Sequence, residues 1–186
     1  DHSFTLLGGY SWQKTHYQNF YMQNFNFPSN DYTYNNMGTG QALKDGRGTE
    51  YSTANESKQI GYFGRLKYSY KGKYMFAASL RHEGSTKFGA DHKWGNFPSV
   101  SAAWNIKGEQ FLEDTDVLSI LKLRAGYGVT GTVPSDPYMS LNTLNFGTYV
   151  YYNNQWIKTI RPDSNANPEL RWEKKKEINI GVDFGF

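Results

Sequence analysis

The 186-residue chain contains no cysteine, which excludes disulfide staples and thiolate metal sites. No apolar run approaches the roughly 18 residues that a membrane-crossing helix requires, so helical insertion is excluded as well. A spanning β-strand needs only about 9 to 11 alternating residues, and that route stays open. Leucine and valine are scarce, so the chain lacks the usual material of a soluble core. Basic runs are also missing beyond Lys174, Lys175 and Lys176, and the net charge is only +3, so a nucleic-acid binder's electrostatic footprint is absent.

What the chain has instead is aromatic surface. Tyrosine occurs 15 times and phenylalanine 12 times, and aromatics make up 17% of residues. Such rings suit a boundary between apolar medium and water. Neither end carries a signal-like segment: the chain opens at Asp1-His2-Ser3-Phe4 and stops at Phe186 inside a strand pattern, which is the expectation for an interior piece of a longer polypeptide.

The strongest pattern is strict alternation at residues 178–186. Ile178, Ile180, Val182, Phe184 and Phe186 share one face, and Asn179, Gly181, Asp183 and Gly185 share the other. Five further runs repeat it, at 4–12, 60–70, 74–81, 98–106 and 121–130. In the last of these Leu121, Leu123, Ala125, Tyr127 and Val129 oppose Lys122, Arg124, Gly126, Gly128 and Thr130. Pro98 is expected at a strand entrance, where a missing N–H is tolerated.

The connections alternate between short and long. Lys71-Gly72-Lys73 is a tight hairpin turn, and residues 108–119 read as a short helical turn. Stretches at about 15–58 and 131–175 read as long loops, with 84–96 on the same rim. Transmembrane barrels carry short periplasmic turns and long extracellular loops, which places 71–73 and 108–119 on the periplasmic side. Six strands do not close into a barrel, because about eight is the practical minimum. The expected fold is therefore all-β: an antiparallel up-and-down segment of a larger transmembrane barrel, with residues 1–186 all in the barrel domain.

Three stretches carry a family resemblance. They are Gly61-Tyr62-Phe63-Gly64-Arg65-Leu66 through Tyr70-Lys71-Gly72-Lys73-Tyr74; Leu80-Arg81-His82-Glu83-Gly84-Ser85-Thr86-Lys87-Phe88 with Trp94-Gly95-Asn96-Phe97-Pro98-Ser99; and Asn167-Pro168-Glu169-Leu170-Arg171-Trp172-Glu173 leading into Asn179-Ile180-Gly181-Val182-Asp183-Phe184. In that order they resemble the SusC/RagA-type TonB-dependent outer-membrane transporters, and Leu121 to Gly128 is similar to the intervening barrel strand. The resemblance implies a barrel of roughly 22 strands filled by a plug domain. It also implies bacterial outer-membrane import of oligosaccharides or peptides, powered through TonB and assisted by a SusD-like surface lipoprotein. Neither plug nor TonB box is recognisable in these 186 residues. No cofactor, metal, catalytic residue or nucleic-acid partner is expected; the alternative is a soluble all-β carbohydrate-binding module.

Candidate chemistry follows from the faces. Arg65, Lys67, Arg81, Lys122 and Arg124, with Glu83 and Asp183, fall opposite the apolar stripe, and charge is costly on a lipid face, so they are expected in the lumen. Pairing with acidic groups of the plug or of neighbouring strands is favoured over a substrate path. Tyr32, Tyr34, Tyr149, Tyr151, Tyr152 and Trp156, all in long loops, are candidate substrate contacts through ring stacking. Gly126 to Gly131 spells GxGxxG, but Pro134 and Pro137 forbid the helix that a dinucleotide site needs. The acidic cluster Glu109, Glu113, Asp114 and Asp116 lacks calcium-loop spacing and is expected to be a solvated turn. His2, His16, His82 and His92 lack paired ligand spacing.

Overall fold

A computed structural model describes residues 1–31, 35–112 and 117–186. Eight strands form two antiparallel sheets. The large sheet takes β1 (His2–Gln23), β2 (Thr49–Tyr70), β3 (Tyr74–Ser85), β4 (Trp94–Asn105), β5 (Ile120–Thr132) and β8 (Glu173–Gly185), in that spatial order. The other is the hairpin of β6 (Thr143–Tyr152) and β7 (Gln155–Ser164). The six alternating runs of the sequence become the six strands of the large sheet. Each neighbour in it is the next strand in sequence, except that β6 and β7 are looped out between β5 and β8.

Two extents differ from expectation. β1 continues to Gln23 and β2 starts at Thr49, so much of the stretch at 15–58 is strand. Likewise β6 and β7 occupy the middle of 131–175. The β6–β7 hairpin escapes a period-of-two count because its register shifts between Phe146 and Tyr149, which throws the rings on either side of the irregularity out of phase. Pro98 is the third difference. It lies inside β4 opposite Leu80, but pairing of β4 with β5 stops at Ser99↔Gly128, so the proline falls just past the end of that ladder.

By contact the chain divides into two units, residues 1–13 with 58–186, and residues 14–57. The smaller unit is organised by Asn24, whose amide donates to the carbonyls of Met37 (2.7 Å) and Gly40 (3.0 Å) while its Oδ1 accepts from the amides of Phe25 and Leu43. One side chain thus closes the short α1 helix (Gln41–Lys44) onto the end of β1. A 2.7 Å ion pair, Lys14–Glu56, joins the paired strands of this unit.

In the larger unit the turn between β2 and β3 takes positive φ at Lys71 (51°) and Gly72 (66°), a primed geometry that matches strand twist and is accessible to glycine without steric cost. Asn105 N–H donates to the Lys73 carbonyl at 2.7 Å, which brings the β2–β3 and β4–β5 connections to one rim. At the other rim lies a small buried cluster. Phe88, 2% exposed, packs with Phe97, Val129 and Trp172, and Val133 and Leu170 close around them. The Trp172 indole donates to the Lys93 carbonyl (2.9 Å), Gly89 N–H donates to Leu170 (3.0 Å), and the Lys87 ammonium donates to the carbonyls of Pro134 (2.9 Å) and Ser135 (2.6 Å). A Cβ at Gly89 would collide with the Pro168 carbonyl, so only glycine fits this crossing. Val129, placed by alternation on the apolar stripe, is instead in this cluster, where the β4 ladder no longer sets the orientation of β5.

The clasp joins the β3–β4 connection to both feet of the segment between β5 and β8. Phe88→Ala in the full-length protein is expected to remove about 3–5 kcal/mol of local packing. Limited proteolysis of membranes should then show faster cleavage within residues 131–172, with the strands still protected.

Candidate functional site

The register of the large sheet gives each face a definite composition. Rows across it read Leu66–Ala78–Val100–Tyr127–Ile178 and Tyr68–Phe76–Ala102–Ala125–Ile180 on the apolar face. The opposite rows read Lys67–Ala77–Ser101–Gly126–Asn179 and Arg65–Ser79–Ser99–Gly128–Glu177. Ser79 and Ser99 share a 2.7 Å hydroxyl hydrogen bond across the second of these rows, which fixes their common face.

The apolar face has no second layer. Leu6 is 75% exposed, Ile178 73%, Ile180 77% and Phe184 68%, and none of the other described strands packs over them. In a sandwich such a stripe would be the covered one, so the soluble carbohydrate-binding alternative fails on this geometry.

Rings bracket the stripe at both ends. Toward the short-turn rim Tyr70, Tyr74 and Trp104 stack in succession at 6.4 and 6.3 Å, and His2 lies 4.6 Å from Tyr70. Toward the other rim Trp94 stacks on His82 (4.6 Å) and Tyr62 (6.4 Å), and Tyr62 meets Tyr10 at 5.3 Å. Trp94 and Trp104 stand ten positions apart on β4. At about 3.4 Å per residue and a tilt of roughly 40°, this spaces the two belts by ~26 Å, the height of the apolar band of a transmembrane barrel.

The short-turn belt is anchored by a residue that sequence reasoning undervalued. Glu109 Oε1 accepts from the Tyr74 hydroxyl (2.6 Å) and the Trp104 indole (3.0 Å), and Oε2 lies 3.4 Å from the Lys73 ammonium. It is a hub rather than part of a solvated turn; Glu113, Asp114 and Asp116 lie outside the described residues. The Tyr74 hydroxyl first, then the Trp104 indole and Lys73, hold the Glu109 carboxyl below its ordinary range against the opposing effect of desolvation. The signal available in sequence was weak, since Glu109 follows Trp104 by five positions through an irregular segment.

The polar face holds the predicted lumen residues. Arg81 forms a bidentate pair with Glu83, and Gln59 also donates to that carboxylate, while Arg81 Nη2 reaches Ser11 Oγ at 3.3 Å. Arg124 pairs with Asp183 at 2.6 Å. Of these two ion pairs, Arg124–Asp183 joins the neighbouring strands β5 and β8, whereas Arg81–Glu83 lies within β3. Lys122 stands in register with Asn105 and Asp183. Arg65 and Lys67 share the face with Ser79 and Ala77, and no carboxylate among the described residues lies within ion-pair distance of them.

Of the loop aromatics, Tyr149, Tyr151 and Trp156 share one face of the β6–β7 hairpin, with Tyr151 and Trp156 rings 5.2 Å apart. Phe146 joins them through Lys158, whose ammonium lies 4.9 Å from its ring centre and 5.8 Å from that of Tyr149. Tyr152 pairs with Gln155 on the opposite face, and Tyr32 and Tyr34 lie outside the described residues. The GxGxxG spelling falls wholly within β5, without a helix after it.

A sheet with an uncovered apolar stripe, two aromatic belts and a polar reverse face defines a transmembrane β-barrel wall. The family model described as TonB dependent receptor-like, beta-barrel, matches residues 1–186, and the chain belongs to that family. Over 143 residues, 74% of this chain, it is 43% identical to the TonB-dependent receptor SusC of Bacteroides thetaiotaomicron, and over 182 residues, 98% of it, 33% identical to TonB-dependent receptor P3 of Formosa agariphila. A solved RagAB peptide transporter superposes on 99% of the chain with a TM-score of 0.82 at 24% identity, which supports the fold. Within the family the chain is of the SusC/RagA type, a group of outer-membrane transporters and receptors of Gram-negative bacteria. It spans 14% and 18% of the lengths of those two curated relatives and 20% of the solved chain.

Two measurements test the site. Val100→Lys in the midplane row should destabilise the full-length barrel in lipid vesicles by roughly 2–4 kcal/mol, whereas Ser101→Lys escapes that lipid penalty. Because the Glu109 carboxyl is held below its ordinary range, its contribution is complete above about pH 4.3. It is lost as pH falls through the lowered value. Acid should accordingly increase proteolytic cleavage near residues 106–112, and Glu109→Gln should show much of that susceptibility already at pH 7.

Proposed function

We propose that residues 1–186 build part of the wall of a TonB-dependent importer carrying oligosaccharides or peptides across the outer membrane, with a SusD-like lipoprotein at the outer mouth. The observation that carries this reading is the division of one sheet into a belted lipid stripe and a small-residue, cation-bearing reverse face. Lipid on one side requires the first, and a filled or water-lined lumen accommodates the second. The 43% identity to SusC supports the transporter class, and the solved neighbour RagAB is a peptide transporter, so both substrate classes are carried. In this reading the rim with the β2–β3 turn faces the periplasm and the β6–β7 hairpin stands on the cell surface.

The hairpin is the part suited to capture. Tyr149, Tyr151 and Trp156 offer flat apolar faces beside Asn145, Asn153 and Asn154, a combination that suits sugar rings or peptide side chains. The test is uptake of labelled oligosaccharides and peptides by cells that express the full-length protein or lack it. One class should enter only in the presence of the protein, and a surface lipoprotein should co-purify with it. If the rings contact the substrate, Tyr151→Ala with Trp156→Ala raises its half-saturation concentration about tenfold, which corresponds to ~1.4 kcal/mol for the ring pair. Uptake of neither class would overturn the importer reading.

A further inference from the structure

The outward face carries a groove at the rim away from the β2–β3 turn. Ile60, Gly84 and Trp94 stand side by side there, in register on β2, β3 and β4. The Trp94 indole lies across Gly84: a Cβ at that position would come within 2.9 Å of the ring, so this packing requires glycine. Stacking on His82, 4.6 Å away and 3° from parallel, holds the indole, and His82 shares a 2.7 Å hydrogen bond with Asn96. Trp12, Lys58 and Lys93 complete the lining. Lys58 has the outward parity of Ile60 and Tyr62 and lies one row beyond them. Its N–H donates to Thr86 Oγ1 (2.9 Å), and its carbonyl accepts from the Thr86 amide (3.0 Å). The Lys93 carbonyl accepts from the Ser85 amide (3.0 Å) and from the Trp172 indole (2.9 Å), which ties this lysine to the buried clasp. Among the described residues Lys93 has no ion pair.

We infer that this groove seats an acyl chain of an anionic, phosphate-bearing lipid of the outer leaflet, with the lipid phosphate against Lys58 and Lys93. This rests on the reading of the sheet as a barrel wall whose β6–β7 end faces the cell surface. Depth comes first in the argument. A lysine on the lipid face is costly at the midplane, and the cost fades toward the interface. Lys58 stands two residues beyond the Ile60–Gly84–Trp94 row, about 5 Å higher at a tilt of roughly 40°, which is headgroup level just above the belt. Charge complementarity then selects the occupant. An apolar groove capped by two ammonium groups matches an amphiphile with an acyl chain below and a phosphate above. A neutral headgroup gains nothing from the lysines, and a sugar or peptide crossing the lumen does not meet this face. The indole, already stacked on His82 and set over Gly84, needs little ordering when a chain lies along it.

The experiment titrates the full-length protein, in neutral detergent, with a phosphorylated, multiply acylated glucosamine disaccharide and with the same lipid after removal of its phosphates. Native mass spectrometry reads the bound lipid. The phosphorylated form should bind more tightly. Lys58→Gln with Lys93→Gln should weaken its binding about thirtyfold, roughly fivefold for each ammonium, and leave the dephosphorylated form unchanged. Lys58→Arg with Lys93→Arg should retain the affinity, and so should Lys71→Gln, which removes a cation at the opposite rim. Trp94→Ala should weaken both lipids, since it opens the groove and spares the lysines. Equal binding of the two lipids, or an affinity that the paired glutamine variant leaves unchanged, overturns the inference. The wall reading is checked separately, by labelling of Val100→Cys with a lipophilic maleimide and of Asn153→Cys on intact cells with a membrane-impermeant one. Loss of either label places the failure in the wall or its orientation. Both labels with an unchanged lipid affinity overturn the lipid site alone.

Discussion

Everything in this structure depends on the need to satisfy backbone hydrogen bonds where no water is available. A strand crossing hydrocarbon can meet that need only through its neighbours, so from β2 to β8 the strands pair residue for residue through the Val100–Tyr127 row, and the β4–β5 ladder ends at Ser99↔Gly128, between the belt rings Trp94 and Trp104. Pro98 and the end of the β4–β5 ladder coincide, and Val129 leaves the stripe just past the same point. The positions of irregularity are thus organised by the limits of the ladder.

Given that constraint, side chains divide the work by face and by depth. Aliphatic residues occupy the middle of the stripe, and rings with polar tips take the belts, where Tyr74 and Trp104 hold an apolar body in one medium and donate to Glu109 in the other. On the reverse face, burial of charge is made tolerable by pairing. Glu83, only 8% exposed, is held by Arg81 and Gln59. Long excursions leave the sheet only where a separate device holds their bases. The Phe88–Trp172 clasp does this for the segment carrying the aromatic hairpin, and it explains why the Lys87-Phe88-Gly89 and Asn167–Trp172 stretches look so particular in sequence.

The six alternating strands were legible because period two is local: each residue's face follows from its parity once a strand exists. The placement of Arg65, Lys67, Arg81, Lys122 and Arg124 together on the face opposite the apolar stripe followed from the same parity. Other features were out of reach. The β6–β7 hairpin was hidden by its register shift, and the full lengths of β1 and β2 by polar residues that alternate with nothing to bury. Phe88 meets Trp172, and Trp172 meets Phe97, in one buried cluster across separations that no periodicity encodes.

The sequence by itself determined that this chain is β, two-faced, of membrane-wall character and of the SusC/RagA type, because alternation, aromatic content and short motifs are written residue by residue. Only the tertiary structure decided which cations have partners, that Glu109 is a hub, and that three distant segments close on one buried ring. Those outcomes depend on distances between strands, and strand register is set by the whole ladder rather than by any stretch of it.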